Sequence, residues 1–245
     1  MKVTICSETV PYTANDGTVA YPEGMNECLK SFISLENDVT LVVIDKDADG
    51  SELTDELLSN TEVLVWWGHM FHKNISDEVT ERVAGYVQRG MGLVALHSAH
   101  KSKVLMRLLG TPCDLSWREI GEHERLWCID PTHPIAEGLT EEFVLIPHEE
   151  MYGEPFSIPT PDELVFIGWF RGGEVMRSGC VFKRARGKIF FFQPGHETLP
   201  TYKIPEIQTI IKNAIRYVAP AGGINGIAKQ LSCKKVVPSP EGIEG

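Results

Sequence analysis

The stretch "GLVALHSAH", residues 92–100, is an apolar run that stops at His97, Ser98, Ala99 and His100. Residues 92–96 read as a strand apolar on both faces, as a sheet sandwiched between helices requires. Behind the histidines, "KSKVLMRLL" has the apolar spacing of a helix. The chain must therefore turn sharply after Leu96, and His97 takes the position that projects from a sheet edge.

The same alternation fills the first half of the chain. "KVTIC" (2–6), "VTLVVI" (39–44) and "VLVWW" (63–67) read as strands. Tyr21-Pro22-Glu23 opens a helix with Pro22 at its first position and Met25, Cys28, Leu29, Phe32 and Ile33 on one face. "LTDELL" gives a short second helix. Ser76 caps a third, whose buried stripe is Val79, Val83, Tyr86 and Val87 and whose end is Gly90. Repeated strand–helix units predict an α/β fold with a doubly wound, mainly parallel sheet. In the second half "ERLWCI", "EFVLI", "ELVFIGWF", "EVMRSGCVF" and "KIFFF" extend the sheet with an antiparallel excursion, and Pro205 opens a closing helix. Residues 1–220 form one domain. Residues 221–245, rich in Gly and Pro, are expected to be a tail, disordered or docked on a neighbouring subunit.

Composition narrows the partners. The formal charge of −11 lacks the basic footprint that nucleic acid or an anionic membrane demands. Lys183, Arg184, Arg186 and Lys188 flank Gly187 and read as a solvated hairpin turn. Six cysteines at 6, 28, 113, 128, 180 and 233 form no CxxC pair, which suits buried thiols in a reducing compartment. "MKVTICSETV" enters a strand at once, without the apolar core of a signal peptide, and no apolar stretch reaches the roughly 18 residues of a membrane span. The expectation is a soluble, cytoplasmic protein.

In open α/β sheets, ligands bind beyond the carboxyl ends of the strands. His69 follows "VLVWWG", His97 follows "GLVAL", His148 follows "FVLIP" and His196 follows "KIFFFQPG". At least three of these are expected to meet in one cleft. Ser98 lacks a G-x-S-x-G frame and reads better as a helix-capping hydroxyl than as a nucleophile; the direction of His100 stays open. His133, between prolines in "PTHPI", reads as structural.

"GMGLVALHSAH", "DPTHPIAEGL", "PHEEMYG" and "RGKIFFFQPGHETLPTY" together resemble the ThuA-like (trehalose utilisation) family. That family lies in the class I glutamine amidotransferase-like superfamily of flavodoxin-like folds, and the resemblance runs from the first strand to about Pro220. In amidotransferases the elbow carries a nucleophilic cysteine with a histidine partner late in the chain. Here His97 stands in the place of that cysteine, and His196 resembles the late histidine. Imidazole cannot do the work of a thiolate on glutamine, so glutaminase activity is not expected. The resemblance implies instead action on a disaccharide or keto-sugar derivative by hydrolysis, elimination or isomerisation, in a homodimer or higher homo-oligomer.

Two chemistries remain open for the histidines. Nitrogens from His97, His196 and one of His69 or His148, with the carboxylate of Glu149 or Glu150, would suit a zinc or manganese ion. Without metal, His97 and His196 can exchange protons with the substrate, Glu150 being their carboxylate partner. Substrate contacts are expected from Trp67, His69, Arg118 and Tyr152, with Tyr21 and Glu23 closing over the site. Aromatic platforms beside His, Glu and Arg suit a sugar ring. Trp66 and Trp67 alternate across a strand, so one of them is core, and Tyr152 in "EEMYG" also reads as a cap on the core. The competing reading is a noncatalytic sugar-binding or regulatory protein on a degenerate amidotransferase-like scaffold.

Overall fold

The computed structural model describes residues 1–8, 12–14 and 16–229. Nine strands form one sheet: β1 (Lys2–Glu8), β2 (Asp38–Ile44), β3 (Val63–Trp67), β4 (Gly92–Leu96), β5 (Ser116–Cys128), β6 (Phe143–Gly153), β7 (Glu163–Phe170), β8 (Val175–Arg184) and β9 (Gly187–Phe192). Their spatial order is β2-β1-β3-β4-β9-β8-β7-β5-β6. The four pairings from β2 to β9 are parallel and the four from β9 to β6 antiparallel. The sheet is thus evenly mixed rather than mainly parallel. Its parallel half carries the apolar-throughout strands, because helices cover both of its faces.

On one face lie α2 (Asp55–Ser59), α3 (Asp77–Arg89) and α4 (Lys103–Leu109), packing Leu58, Val83, Val87 and Leu105 onto Leu64 and Leu93. On the other, α1 (Met25–Ile33) and α5 (Pro205–Val218) pack Leu29, Ile33, Ile207, Ile211 and Ile215 onto Val65, Val94 and Phe190. Ser76 caps α3 by accepting from the Val79 N–H, and Gly90 ends it with φ 128°. The first helix starts later than its proline suggests. Gly24, at φ 92°, stands at its N-cap, and a side chain there would be strained, so Pro22 falls in the preceding turn.

β6 also departs from the sequence reading. It runs on through Pro147 to Gly153, since a proline costs no ladder hydrogen bond on an edge strand. His148 therefore lies within a strand, not after one. The basic cluster does form the β8–β9 hairpin, where Arg184 pairs with Gly187 and Ala185 takes φ 54°. Residues 221–229 lie against their own domain, with the Ala228 N–H donating to the Arg89 carbonyl; residues 230–245, including Cys233, are outside the described residues. Among the described residues no helix is long and apolar enough to cross a membrane.

His133 is structural, as its sequence suggests. Its Nδ1 accepts from the Ile135 N–H, and its Nε2 stands 2.9 Å from Glu163, which also takes the Tyr217 hydroxyl and the Lys183 ammonium. Burial would raise the Glu163 carboxyl, but hydrogen bonds from Lys183, Tyr217 and His133 outweigh it and hold it at about 2. A depressed carboxylate stabilises the fold above its ordinary titration range and loses that contribution as pH falls through its folded value. Glu163→Gln should therefore be less stable than wild type near neutrality, with the gap closing between pH 4.5 and about 2; urea titrations across that range measure it. A second test concerns the floor of the sheet. A Cβ on Gly92 would come within 2.7 Å of the Val218 carbonyl oxygen. Gly92→Ala should destabilise by about 1–3 kcal/mol, read as a lowered thermal midpoint.

Candidate active site

The site is built where β3, β4 and β9 end. His97 follows Leu96 directly with φ 51°, a left-handed conformation for a fully buried residue that is not glycine. Such strain persists only where surrounding contacts fix it, and it gathers at functional sites. Here its ring Nδ1–H donates to the Gln193 carbonyl at 2.8 Å, and Tyr152 stacks on it at 4.9 Å between centroids. A carbonyl can only accept, so Nδ1 carries a proton and Nε2 faces the cleft.

Around that nitrogen the sheet gathers other groups. Glu150 Oε2, from β6, is buried and stands at ion-pair distance, 3.1 Å, from His97 Nε2, with no further hydrogen-bond partner. His196 Nε2, from the loop after β9, lies 3.8 Å from the same oxygen. These three ligand atoms all fall within 4.8 Å of one another. His69, after β3, brings Nε2 to 3.1 Å from Glu197 and Nδ1 to 3.4 Å from Ser98 Oγ. Three of the four strand-end histidines thus converge. A cavity of about 390 Å³ opens beside them, lined by His69, Ser98, His100, Trp117, Glu119, Glu150 and Tyr152 among others, while His97 and His196 are buried behind that lining.

The electrostatics are those of a shared positive charge. Burial alone would lower the His97 imidazole, but contact with Glu150 and the charges of Glu150, Glu149 and Glu197 outweigh it and push it up to about 9. Burial and the neighbouring His97 together push His196 down to about 3. Burial lifts Glu197 to about 7. Glu150 moves below the usual carboxylate range, its burial being outweighed by His97. Carboxylates so close in a buried site require a cation, either the proton on His97 or a metal ion.

The donor set suits a divalent ion. His97 fits as it stands, with Nδ1 tied to a carbonyl and Nε2 presented, the arrangement that orients metal-ligating histidines. For His196, the Thr198 N–H donates to Nδ1 at 3.2 Å, which leaves the ring proton on Nε2. Ligation needs that proton on Nδ1, and Thr198 Oγ1, 2.9 Å away, can accept it.

Several residues expected at the site have other tasks. Trp67 is fully buried, and its indole N–H donates to the Gly195 carbonyl. Glu149 is no ligand: it accepts from the Gly195 and His196 N–H groups and the Thr201 hydroxyl. The Tyr21 hydroxyl donates to the Leu199 carbonyl and accepts from the Tyr202 N–H. All three hold the loop that presents His196, rather than substrate or metal. His148 is exposed and donates to the Gly121 carbonyl. Arg118 faces away, bound to Glu122 and Glu174, and Glu23 is exposed on the turn before α1. Ser98 is not a cap, since Ser102 caps α4; Ser98 instead pairs with the Tyr152 hydroxyl at 2.8 Å. Tyr152 and His69 do reach the cleft.

Sequence reasoning missed Glu119 and Glu197. Glu197 directly follows His196 in "PGHE", and Glu119 sits two residues beyond Trp117 in "WRE", a spacing that places both on one face of a strand. His100 is also turned inward, its Nδ1–H donating to the Cys113 carbonyl.

A family model described as ThuA, trehalose utilisation, matches residues 2–218. The chain belongs to the ThuA family. Solved structures share the fold. A ThuA-like protein from Parabacteroides merdae ATCC 43184 aligns with a TM-score of 0.68 at 15% identity, covering 95% of this chain and 93% of that one. A cytoplasmic protein from Salmonella typhimurium aligns at 0.62 and 14%, covering 89% and 99%. PurLQS from Thermotoga maritima aligns at 0.52 and 12%, covering 89% and 99%. At these identities the likeness concerns the fold alone. No curated protein matches the chain.

The scaffolding role of Glu149 in this ThuA protein is testable. Glu149→Ala removes a buried acceptor from four donors, the Glu150 N–H included, and should cost about 2–4 kcal/mol. An unchanged thermal midpoint would contradict that role.

Proposed function

We propose that this ThuA protein is an enzyme that acts on a disaccharide or keto-sugar derivative, with His97, Glu150 and His196 as its reaction centre. The observation that carries this reading is the convergence of His97, His196 and Glu150, whose Oε2 lies 3.1 Å and 3.8 Å from the two Nε2 atoms, with Glu150 lining an adjoining cavity. They lie where α/β sheets place their ligands. Family membership supplies the carbohydrate context.

Hydrolysis, elimination and isomerisation of a sugar all move protons, and the residues here divide that work. Glu197, lifted to about 7, is poised to take and return a proton near neutrality. His97 keeps positive charge against Glu150 and stabilises negative charge developing on a substrate oxygen. His196, kept neutral, orients hydroxyl groups. A divalent zinc or manganese ion held by His97, Glu150 and His196 would take the place of the His97 Nε2 proton and supply Lewis acidity at the same point.

The class I glutamine amidotransferase-like assignment is supported by the strained elbow after β4 and by the likeness to PurLQS. The elbow residue is an imidazole, so glutaminase chemistry has no nucleophile there. In this reading the ligand is a small carbohydrate and the working form a cytoplasmic homodimer, the commonest arrangement for such chains.

Purified protein should carry near-stoichiometric zinc or manganese by elemental analysis, or gain activity when either is added. Trehalose or one of its keto derivatives should be turned over, and His97→Ala should lower kcat about a hundredfold or more. Binding of these sugars without turnover would point to the noncatalytic reading. Equal activity in His97→Ala would refute the assignment of the centre.

A further inference from the structure

Trp117 and Glu119 lie two residues apart on β5 and so share one face of the strand. Trp117 pairs with Tyr152 across β5 and β6, which adds Tyr152 to that face. Tyr152 stacks on His97, and Glu119 Oε1 reaches within 3.5 Å of His196 Nε2, so this face roofs the reaction centre. Arg118, between them, turns to the opposite side. Trp66 and Trp67 are buried, whereas Trp117 is 65% exposed and lines the cavity. Among the described residues it is the one large aromatic surface that the lining leaves open.

The rest of the outer cavity tells against a charged ligand. Leu115, His72 and His100 line it beside the Lys101–Asp114 ion pair. Among the described residues Lys101 is the only lysine or arginine in the lining, and Asp114 already compensates it. Glu119 and Glu150 add negative charge. Phosphate recognition relies on unpaired Arg or Lys, or on amides at the start of a helix. An open indole instead suits the apolar C–H face of a pyranose, with polar groups at the edge for its hydroxyls.

We propose that the outer half of the cavity is a stacking subsite for an uncharged pyranose ring, with Trp117 as its platform, so that the protein takes unphosphorylated disaccharides and discriminates against sugar phosphates. The proposal rests on the carbohydrate reading above and adds the ligand's charge class and the residue that selects it.

Isothermal titration of the full chain with trehalose and with trehalose 6-phosphate tests it, using wild type, Trp117→Phe and Trp117→Ala. Wild type should bind trehalose at least about tenfold more tightly than its phosphate, Trp117→Ala should lose about tenfold in trehalose affinity, and Trp117→Phe should retain most of it. Thermal melts of each variant separate lost binding from lost folding, and the phosphate comparison needs only wild type. Equal or tighter binding of the phosphate, or unchanged affinity in a folded Trp117→Ala, would overturn the subsite while leaving the carbohydrate reading intact. Binding of neither sugar by wild type would overturn that reading itself, a distinct result.

Discussion

The site depends on one constraint: the backbone at His97 is held in a left-handed conformation while its ring Nδ1 is tied to the Gln193 carbonyl. The first condition aims the side chain off the end of β4, away from both apolar layers. The second fixes which nitrogen faces Glu150 and His196. Since β4 and β9 are parallel neighbours with Leu96 opposite Phe192, the residues just past the two strands, His97 and Gln193, come side by side. The topology thus makes the contact, and the ring's hydrogen bond gives it chemical direction.

A second layer of residues presents His196. Glu149 from β6, Trp67 from β3 and Tyr21 from the segment before α1 grip the loop after β9 through its backbone. Their polar atoms are consumed by that loop. Glu150, the next residue along β6, points the other way and keeps an oxygen without a hydrogen-bond partner beside two imidazoles. Adjacent glutamates therefore divide into one that holds the loop and one presented to the cleft through the alternation of a strand.

Much of this was legible in the sequence. Apolar runs and caps located the strands, α3 and α5, and the strand-end rule selected His69, His97 and His196 before any geometry. The rest turned on facing and register, which periodicity alone does not give. His148 was misplaced because Pro147 looks like a strand end but sits on a permissive edge. The sequence offers Arg118 as a ligand contact, but strand alternation opposes it to Trp117 and Glu119. Trp67 and Tyr21 do act at the site, but through backbone carbonyls, partners that no side-chain pattern reveals. The antiparallel excursion is legible in the second half, but its extent, half of all the pairings, depends on strand order, which periodicity does not carry.

The central claim is the direction of the His97 ring. Long-range proton–nitrogen NMR of the histidine side chains, recorded above pH 9 where His97 has become neutral, reports which nitrogen holds the remaining proton. The account predicts the Nδ1-protonated form for His97, with Nε2 bare toward Glu150. A neutral His97 protonated at Nε2 would mean that the Gln193 carbonyl does not hold the ring, and would contradict the account.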